Sequence, residues 1–149
     1  MAASAWLVHD NIKELVGNGV IDFDTDAFKI ILCTSASNVH TAATDALSTV
    51  TNQVATANGY TQNNKALASQ TWVETAGVAT FDAADVQWTA SGGSITARYA
   101  AIYDDTVASP VVDPIVCSTL LDTTPADVTA TDGNTFTIQM NASGIFTLS

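Results

Sequence analysis

The second half of the chain consists of short apolar, β-branched segments separated by turn residues. These segments cover residues 70–74, 78–82, 86–89, 95–103, 115–121, 135–140 and 144–148. Most are too short for a typical helix, and glycine, proline and asparagine lie between them. Closely spaced short strands with no second long helix predict an antiparallel β-sandwich or barrel, so the expected fold class is all-β.

The first half begins with the one helix that the sequence predicts, over residues 10–17. Asp10 is expected to cap its N-terminus, and Gly17 or Gly19 to close it. Its apolar residues, Ile12, Leu15 and Val16, fall on one face. Residues 27–33 form a nearly continuous apolar run that is rich in β-formers, which predicts a buried strand.

Residues 34–69 are rich in Thr, Ser, Ala and Asn, with one expected helical turn within 43–50. Loops of this length in compact domains are often functional or flexible. Asn58-Gly59 is a strong turn signal inside this segment. We therefore expect a surface excursion that carries contacts. Because neither a repeat nor a linker divides the sequence, we expect one domain over residues 1–149.

Charge limits the classes of partner. Only 13% of the residues are charged, and 4 Lys+Arg against 15 Asp+Glu give a formal net charge of -11. Nucleic acids and anionic membranes are unfavourable partners, because binding them requires basic side chains. The sequence has no apolar run of about 20 residues and no basic region before its first apolar patch. Folding in the cytoplasm is expected, with Cys33 and Cys117 as buried, inert thiols rather than a disulfide.

The stretch Ser91-Gly92-Gly93-Ser94 resembles the glycine-rich rim of a phosphate or catalytic site. It has no lysine for a phosphate loop, it does not open a helix, and it lacks the final glycine of a nucleophile elbow. The simpler interpretation is a connection between two strands of a hairpin, with Trp88 in the core.

Aspartates form two groups that resemble cation sites. Asp22, Asp24 and Asp26 have the spacing that opens a calcium loop, and on an extended segment their carboxylates would share one face. An EF-hand is excluded because the required glycine and glutamate are missing, which leaves weak calcium binding as an open alternative to a solvated acidic turn. Asp104-Asp105 is interpreted as a turn at a strand end.

Candidate catalytic combinations are few. His9 or His40 beside Cys33 would form a nucleophilic dyad. Both histidines with both cysteines would supply four zinc ligands, although their spacing is atypical. Glu14 and Glu74 are candidates for acid and base in glycoside hydrolysis. None of these combinations shows a recognisable motif, so we predict no enzymatic activity and no catalytic, cofactor-binding or metal-binding residues.

Five blocks occur in an order that resembles a family of small virion structural proteins of tailed bacteriophages. The blocks are residues 28–32 (FKIIL), 58–61 (NGYT), 86–95 (VQWTASGGSI), 98–105 (RYAAIYDD) and 133–138 (GNTFTI). The resemblance spans most of the chain and implies a non-enzymatic particle component. Within that class the preferred role is a capsid decoration, or cement, protein on the outer surface of the virion.

That role implies a jelly-roll-like sandwich, a homodimer or homotrimer, and the major capsid protein as partner. The long Thr/Ala-rich segment departs from the family, so contacts are sought first at the N-terminal segment and in residues 34–69. The alternatives are a tail-tube or fibre protein and a module that binds host glycans. Exposed tryptophan would favour the last. Its candidates are Trp6, Trp72 and Trp88, of which Trp88 is expected in the core.

Overall fold

The computed structural model describes residues 3–149 and is mostly β. Its strands are antiparallel throughout and form several sheets in a sandwich-like arrangement with one α-helix. The predicted all-β class with a single short N-terminal helix is therefore confirmed.

The largest sheet has five strands in the order β1-β9-β8-β2-β3. Their bounds are Leu7–Val8 (β1), Phe28–Cys33 (β2), Lys65–Ala66 (β3), Tyr99–Asp104 (β8) and Ile115–Leu120 (β9). The central strands are buried on both faces, which explains why the sequence of β2 is continuously apolar instead of alternating.

Seven further strands form one three-stranded sheet and two two-stranded sheets. The three-stranded sheet has the order β12-β5-β4, with β4 at Thr71–Thr75, β5 at Val78–Asp82 and β12 at Phe146–Leu148. The two-stranded sheets pair β6 (Val86–Thr89) with β11 (Thr135–Ile138) and β7 (Ile95–Ala97) with β10 (Val128–Ala130).

The main core contains residues from all four sheets and from the helix. Phe23 is at the centre of its aromatic cluster, with ring centroids 5.4 Å from Phe28, 4.9 Å from Phe81 and 5.6 Å from Phe146. The predicted core position of Trp88 is confirmed, since only 6% of its surface is exposed. These contacts hold the small sheets against one face of the large sheet.

The other face of the large sheet carries a second, smaller core that the segment after β2 covers. Val39 is fully buried against β2, β8 and β9, and Leu47 and Val50 pack beside it. Backbone hydrogen bonds from Thr34 N to Asn52 O and from Val54 N to Leu32 O fix this cover to the sheet. The predicted excursion over residues 34–69 thus lies at the surface, and its first part, residues 34–53, packs on the sheet as a layer.

Within that segment regular structure is limited to a 3₁₀ turn at Leu47–Thr49 and the strand β3. The predicted turn at Asn58-Gly59 is confirmed. Ala57 and Tyr60 exchange backbone hydrogen bonds across it, and both central residues have positive φ. The two-residue turn suits Asn-Gly because both residues tolerate the left-handed region.

The helix α1 spans Asp10–Gly17 as predicted, but its N-cap differs. His9 is the N-cap and makes no capping hydrogen bond from its side chain, so Asp10 is the first helical residue and not the cap. At the other end Gly19, with φ +67°, donates its N–H to the carbonyl of Val16 and closes the helix.

The interpretation of residues 86–105 as a hairpin is wrong. β6 and β7 follow one another in sequence but pair with β11 and β10, and the predicted strand over 95–103 is divided at Arg98 into β7 and β8. The connection at 91–94 instead contacts the Asn58-Gly59 turn, since Ser91 N donates to Asn58 O and Asn58 Nδ2 donates to Ser94 O. The glycines permit this close approach between two loops.

Candidate functional site

The two histidines converge on one serine in strand β9. His9 Nε2 lies 3.0 Å from Ser118 Oγ, and His40 Nδ1 lies 3.1 Å from the same oxygen. The second ring nitrogen of His9, Nδ1, lies 2.6 Å from the carbonyl oxygen of Thr44. The structure does not pair either histidine with Cys33, since both rings contact Ser118 instead.

The Thr44 carbonyl determines where the protons of this cluster lie. A carbonyl oxygen only accepts hydrogen bonds, so His9 Nδ1 carries a proton and donates it to Thr44 O. In the neutral ring Nε2 then accepts from the Ser118 hydroxyl, and Ser118 Oγ in turn accepts from His40 Nδ1–H. The Thr44 carbonyl thus sets the donor and acceptor of each of the three hydrogen bonds in this cluster.

A serine that donates to an oriented histidine is the arrangement of a hydrolytic nucleophile. Here Ser118 and His9 are both fully buried, and His40 stacks on Tyr99 with ring centroids 5.6 Å apart. Ser118 faces the layer formed by residues 34–53, which leaves its hydroxyl no exposed surface. The cluster therefore joins the N-terminal segment, the covering layer and β9 rather than presenting a reactive hydroxyl to a substrate.

Burial lowers the pKa of both imidazoles. For His9 the charge of His40 adds to this effect, whereas the hydrogen bond to Thr44 and the carboxylates of Asp45 and Asp10 oppose it. For His40 burial is the cause. Sequence reasoning missed Ser118 and Thr44, and no local signal identifies them, since they lie 109 and 35 residues from His9.

Both cysteines are free and fully buried, as predicted. Burial raises the pKa of Cys33 to about 12 and raises that of Cys117 well above its ordinary value. Thiolates are the reactive and metal-binding form of cysteine. Neither thiol is therefore suited to nucleophilic chemistry at neutral pH.

Asp104 is a buried carboxyl at the end of β8, not the surface turn that the sequence suggested. Its Oδ1 accepts hydrogen bonds from the backbone N–H groups of Thr106 at 2.8 Å and Val107 at 3.3 Å, whereas its Oδ2 has no hydrogen-bond partner. Burial, and then the nearby carboxylate of Asp26, raise the pKa of Asp104 to about 7. Its neighbour Asp105 is exposed and pairs with Lys29 at 2.7 Å.

The three carboxylates at 22, 24 and 26 do not share one face of an extended segment, because the chain turns there. Asp22 Oδ1 accepts from Asp24 N at 3.0 Å, and Asp26 Oδ2 accepts from Asp22 N at 2.8 Å. Two of the carboxylates are thus hydrogen-bonded within the turn. The bond from Asp24 N, together with hydrogen bonds from Thr25, lowers the pKa of Asp22. Across residues 3–149 the structure has no group of three His, Cys, Asp or Glu side chains arranged to hold a metal ion.

The candidate acid and base for glycoside hydrolysis lie on separate elements. Glu14 is exposed on α1, and Glu74 is exposed on β4, where its carboxylate accepts a hydrogen bond from Gly77 N in the adjoining turn. The structure thus does not show the two side chains facing each other across a cleft.

Trp6 lies between two surface grooves of about 290 and 480 Å³, and is the tryptophan best placed to meet a ligand. Trp72 instead packs on the aromatic cluster, 4.8 Å from Phe23. The residues that line the grooves are all uncharged, in a protein of net charge -11; their polar members are Ser4, Thr119, Thr137, Gln139, Asn141 and Thr147. Each groove combines the aromatic side chain of Trp6 with hydrogen-bonding groups.

The geometry thus defines an antiparallel, sandwich-like β-protein whose buried polar clusters face its interior. Within the described residues no helix is long and apolar enough to cross a membrane. Comparison with known proteins gives no match to any family model, curated protein or solved structure.

Proposed function

We propose that this chain is a non-enzymatic structural component of a tailed-bacteriophage particle, and specifically a capsid decoration protein. The proposal begins from the five sequence blocks that resemble virion proteins. It assigns the protein to the outer surface of the head, where it binds across neighbouring major capsid protein subunits.

The structural observation that carries the proposal is the inward orientation of the reactive groups. Ser118, Cys33, Cys117 and Asp104 are all fully buried, so these three nucleophiles and this acid do not meet solvent. The surface carries many Thr, Ala and Asn side chains and a few isolated Val side chains, together with most of the carboxylates. Such a surface suits attachment by many copies, each with a modest interface.

The grooves beside Trp6 are the proposed contact with the shell. They lie along the N-terminal segment, where Ser4 N donates to Leu120 O and Leu7 pairs with Ser118. Their uncharged lining fits a protein partner without requiring counter-charges. A large, partly buried aromatic side chain in such a groove is typical of residues that dominate binding energy.

The test is addition of the purified protein to DNA-free, expanded capsids that lack it. We expect saturable binding by cosedimentation and a higher capsid melting temperature. Thr137→Lys introduces a charge into the first groove and should weaken binding at least ~10-fold, the effect of losing about 1.4 kcal/mol. Thr135→Lys, exposed on the same strand and face but outside the groove, should bind normally.

A second candidate function, binding of neutral host glycans, is favoured by the same Trp6 surroundings. Sugars stack on aromatic rings and hydrogen-bond to amides and hydroxyls, all of which border these grooves. Binding to a glycan array or to tail components, combined with failure to bind expanded capsids, would replace the decoration proposal with this one.

A further inference from the structure

Strand β4 has one side that no other strand of residues 3–149 occupies. It ends the three-stranded sheet β12-β5-β4 and is five residues long. Among the described residues it is the longest strand at a sheet edge: β1 and β3 have two residues each, β12 has three, and the strands of the two-stranded sheets have three or four.

Natural proteins usually protect such edges with lysine, proline, a β-bulge or a covering loop. The sequence of β4, TWVET, contains neither lysine nor proline. Its pairing with β5 runs without a register shift from Thr71↔Asp82 to Thr75↔Val78. Val73 is 56% exposed at the middle of the strand, so an apolar, β-branched side chain stands in water there.

We propose that two copies of this chain pair through β4, antiparallel across a two-fold axis, with Val73 opposite its own copy. The pairing would join the two three-stranded sheets into one continuous sheet of six strands. The interface is isologous, since the same strand is used by both protomers.

The sequence of β4 favours a second copy in this register. With Val73 on the axis, Thr71 lies opposite Thr75 of the other copy and Trp72 lies opposite Glu74. Cross-strand pairs of β-branched residues are stabilising, whereas like charges directly opposite are destabilising. A register centred on Glu74 would oppose two carboxylates, and the register centred on Val73 avoids this while using all five residues of the strand.

Charge also favours β4 as a contact between copies of an acidic protein. The chain has 15 Asp+Glu, but β4 contains one of them, Glu74, and its carboxylate is already bound to Gly77 N of its own hairpin turn. Long-range repulsion between two molecules of net charge -11 still opposes association. Salt screens this repulsion, so raising the ionic strength should strengthen the dimer.

The first experiment is sedimentation velocity across a range of protein concentrations at low and high salt. We expect a concentration-dependent dimer that salt strengthens. Val73→Lys should abolish it, because two lysines would meet on the axis. Val112→Lys is the matched control, since Val112 is 57% exposed but lies in a loop outside every strand, and this variant should dimerise like the parent.

Cysteine cross-linking tests the register. The native Cys33 and Cys117 are fully buried, so an introduced cysteine supplies the accessible thiol. Residues directly opposite across antiparallel strands have Cβ atoms about 4.5–5.5 Å apart, close to the range of a disulfide. Val73→Cys should therefore form a disulfide dimer on mild oxidation, and Val112→Cys should not.

A mixture of Thr71→Cys and Thr75→Cys should give the mixed disulfide, whereas each variant alone should cross-link poorly. Sedimentation as a monomer at all concentrations, or equal cross-linking at positions 73 and 112, would overturn the proposal. The dimer does not depend on attachment to a capsid. A monomer that binds capsids would refute the dimer alone, and a dimer that binds no capsid would refute the decoration role alone.

Discussion

Asp104 is the residue where burial and charge conflict most directly. It is fully buried, and one of its carboxyl oxygens lacks a hydrogen-bond partner beside the carboxylate of Asp26. A buried carboxyl in this position is stable while it holds a proton, and its ionised form is costly. The folded protein therefore keeps the proton up to a pH of about 7.

We predict that Asp104→Asn stabilises the protein at pH 8. In the unfolded chain this carboxyl loses its proton near its ordinary pKa of 3.8, so the folded state binds more protons between that value and about 7. The stability of the parent protein should fall as pH rises through this window. The amide does not titrate, and the variant should be more stable by on the order of 2–4 kcal/mol at pH 8 in urea unfolding.

The stability gain of Asp104→Asn over the parent should shrink as the pH approaches 4, because the Asp104 carboxyl is then neutral in the folded parent and the asparagine is neutral at any pH. Asp105→Asn is the control, because it removes a neighbouring carboxylate that is exposed and paired with Lys29. That change should lower stability by less than about 1 kcal/mol. A stability difference between Asp104→Asn and the parent that is independent of pH would contradict the assignment of a neutral Asp104.

At the scale of structural elements, two loops that are distant in sequence are hydrogen-bonded to each other. The Asn58-Gly59 turn contacts the 91–94 connection between β6 and β7, although each alone resembles an ordinary loop. A Cβ atom at Gly59 would lie 2.1 Å from the carbonyl oxygen of Thr89. The contact therefore requires glycine for space as well as for its positive φ.

We predict that Gly59→Ala is much more destabilising than Gly77→Ala. The two glycines have nearly equal φ, +86° and +84°, but a Cβ at Gly77 would have no neighbour within 4 Å. Gly77→Ala should cost about 1–2 kcal/mol for the left-handed backbone. Gly59→Ala should cost a further ~1–3 kcal/mol for the displaced strand, measured by denaturant unfolding. Equal losses of stability in Gly59→Ala and Gly77→Ala would contradict this prediction, because they would show that the two loops can move apart with no loss of free energy.

On the scale of the whole molecule, the cluster of Ser118 with His9 and His40 joins three distant parts of the chain. The N-terminal segment pairs with β9, the covering layer supplies His40 and Thr44, and β9 supplies the hydroxyl. Burial lowers the pKa of both rings, so the folded state disfavours their protonation. In the unfolded chain the two imidazoles are solvated and their pKa is not lowered by burial.

We predict that acid weakens the fold through this cluster. The unfolded imidazoles take up protons near pH 6.5, whereas the folded ones resist, so stability should fall as pH falls below that value. In His40→Asn the amide can still donate to Ser118 but does not titrate. The stability lost between pH 7.5 and pH 5 in urea should be smaller for this variant than for the parent.

Comparison of the variant with the parent at each pH removes the opposing contribution of Asp104. Identical losses for the two proteins would show that His40 does not contribute to the acid sensitivity. His9 would then be left as the titrating member of the cluster, with a pKa that the charges of Asp45 and Asp10 also influence.

The sequence by itself determined the local features of this protein. The apolar run of β2, the Asn58-Gly59 turn, the burial of Trp88 and the inert state of the two cysteines all followed from residue type and short-range pattern. These features depend on neighbours within a few positions, which is the range over which hydrophobic periodicity and turn preferences act.

Only the tertiary structure decided which segments meet. β6 and β7 look like partners because they are adjacent in sequence, yet they pair with strands some 30 to 50 residues away. Residues 34–53 look like an exposed loop because they are polar, yet a few apolar side chains fix them over the second face of the sheet. Strand pairing and layer packing are set by contacts between distant residues, and one sequence holds no pattern that joins His9 and His40 to Ser118.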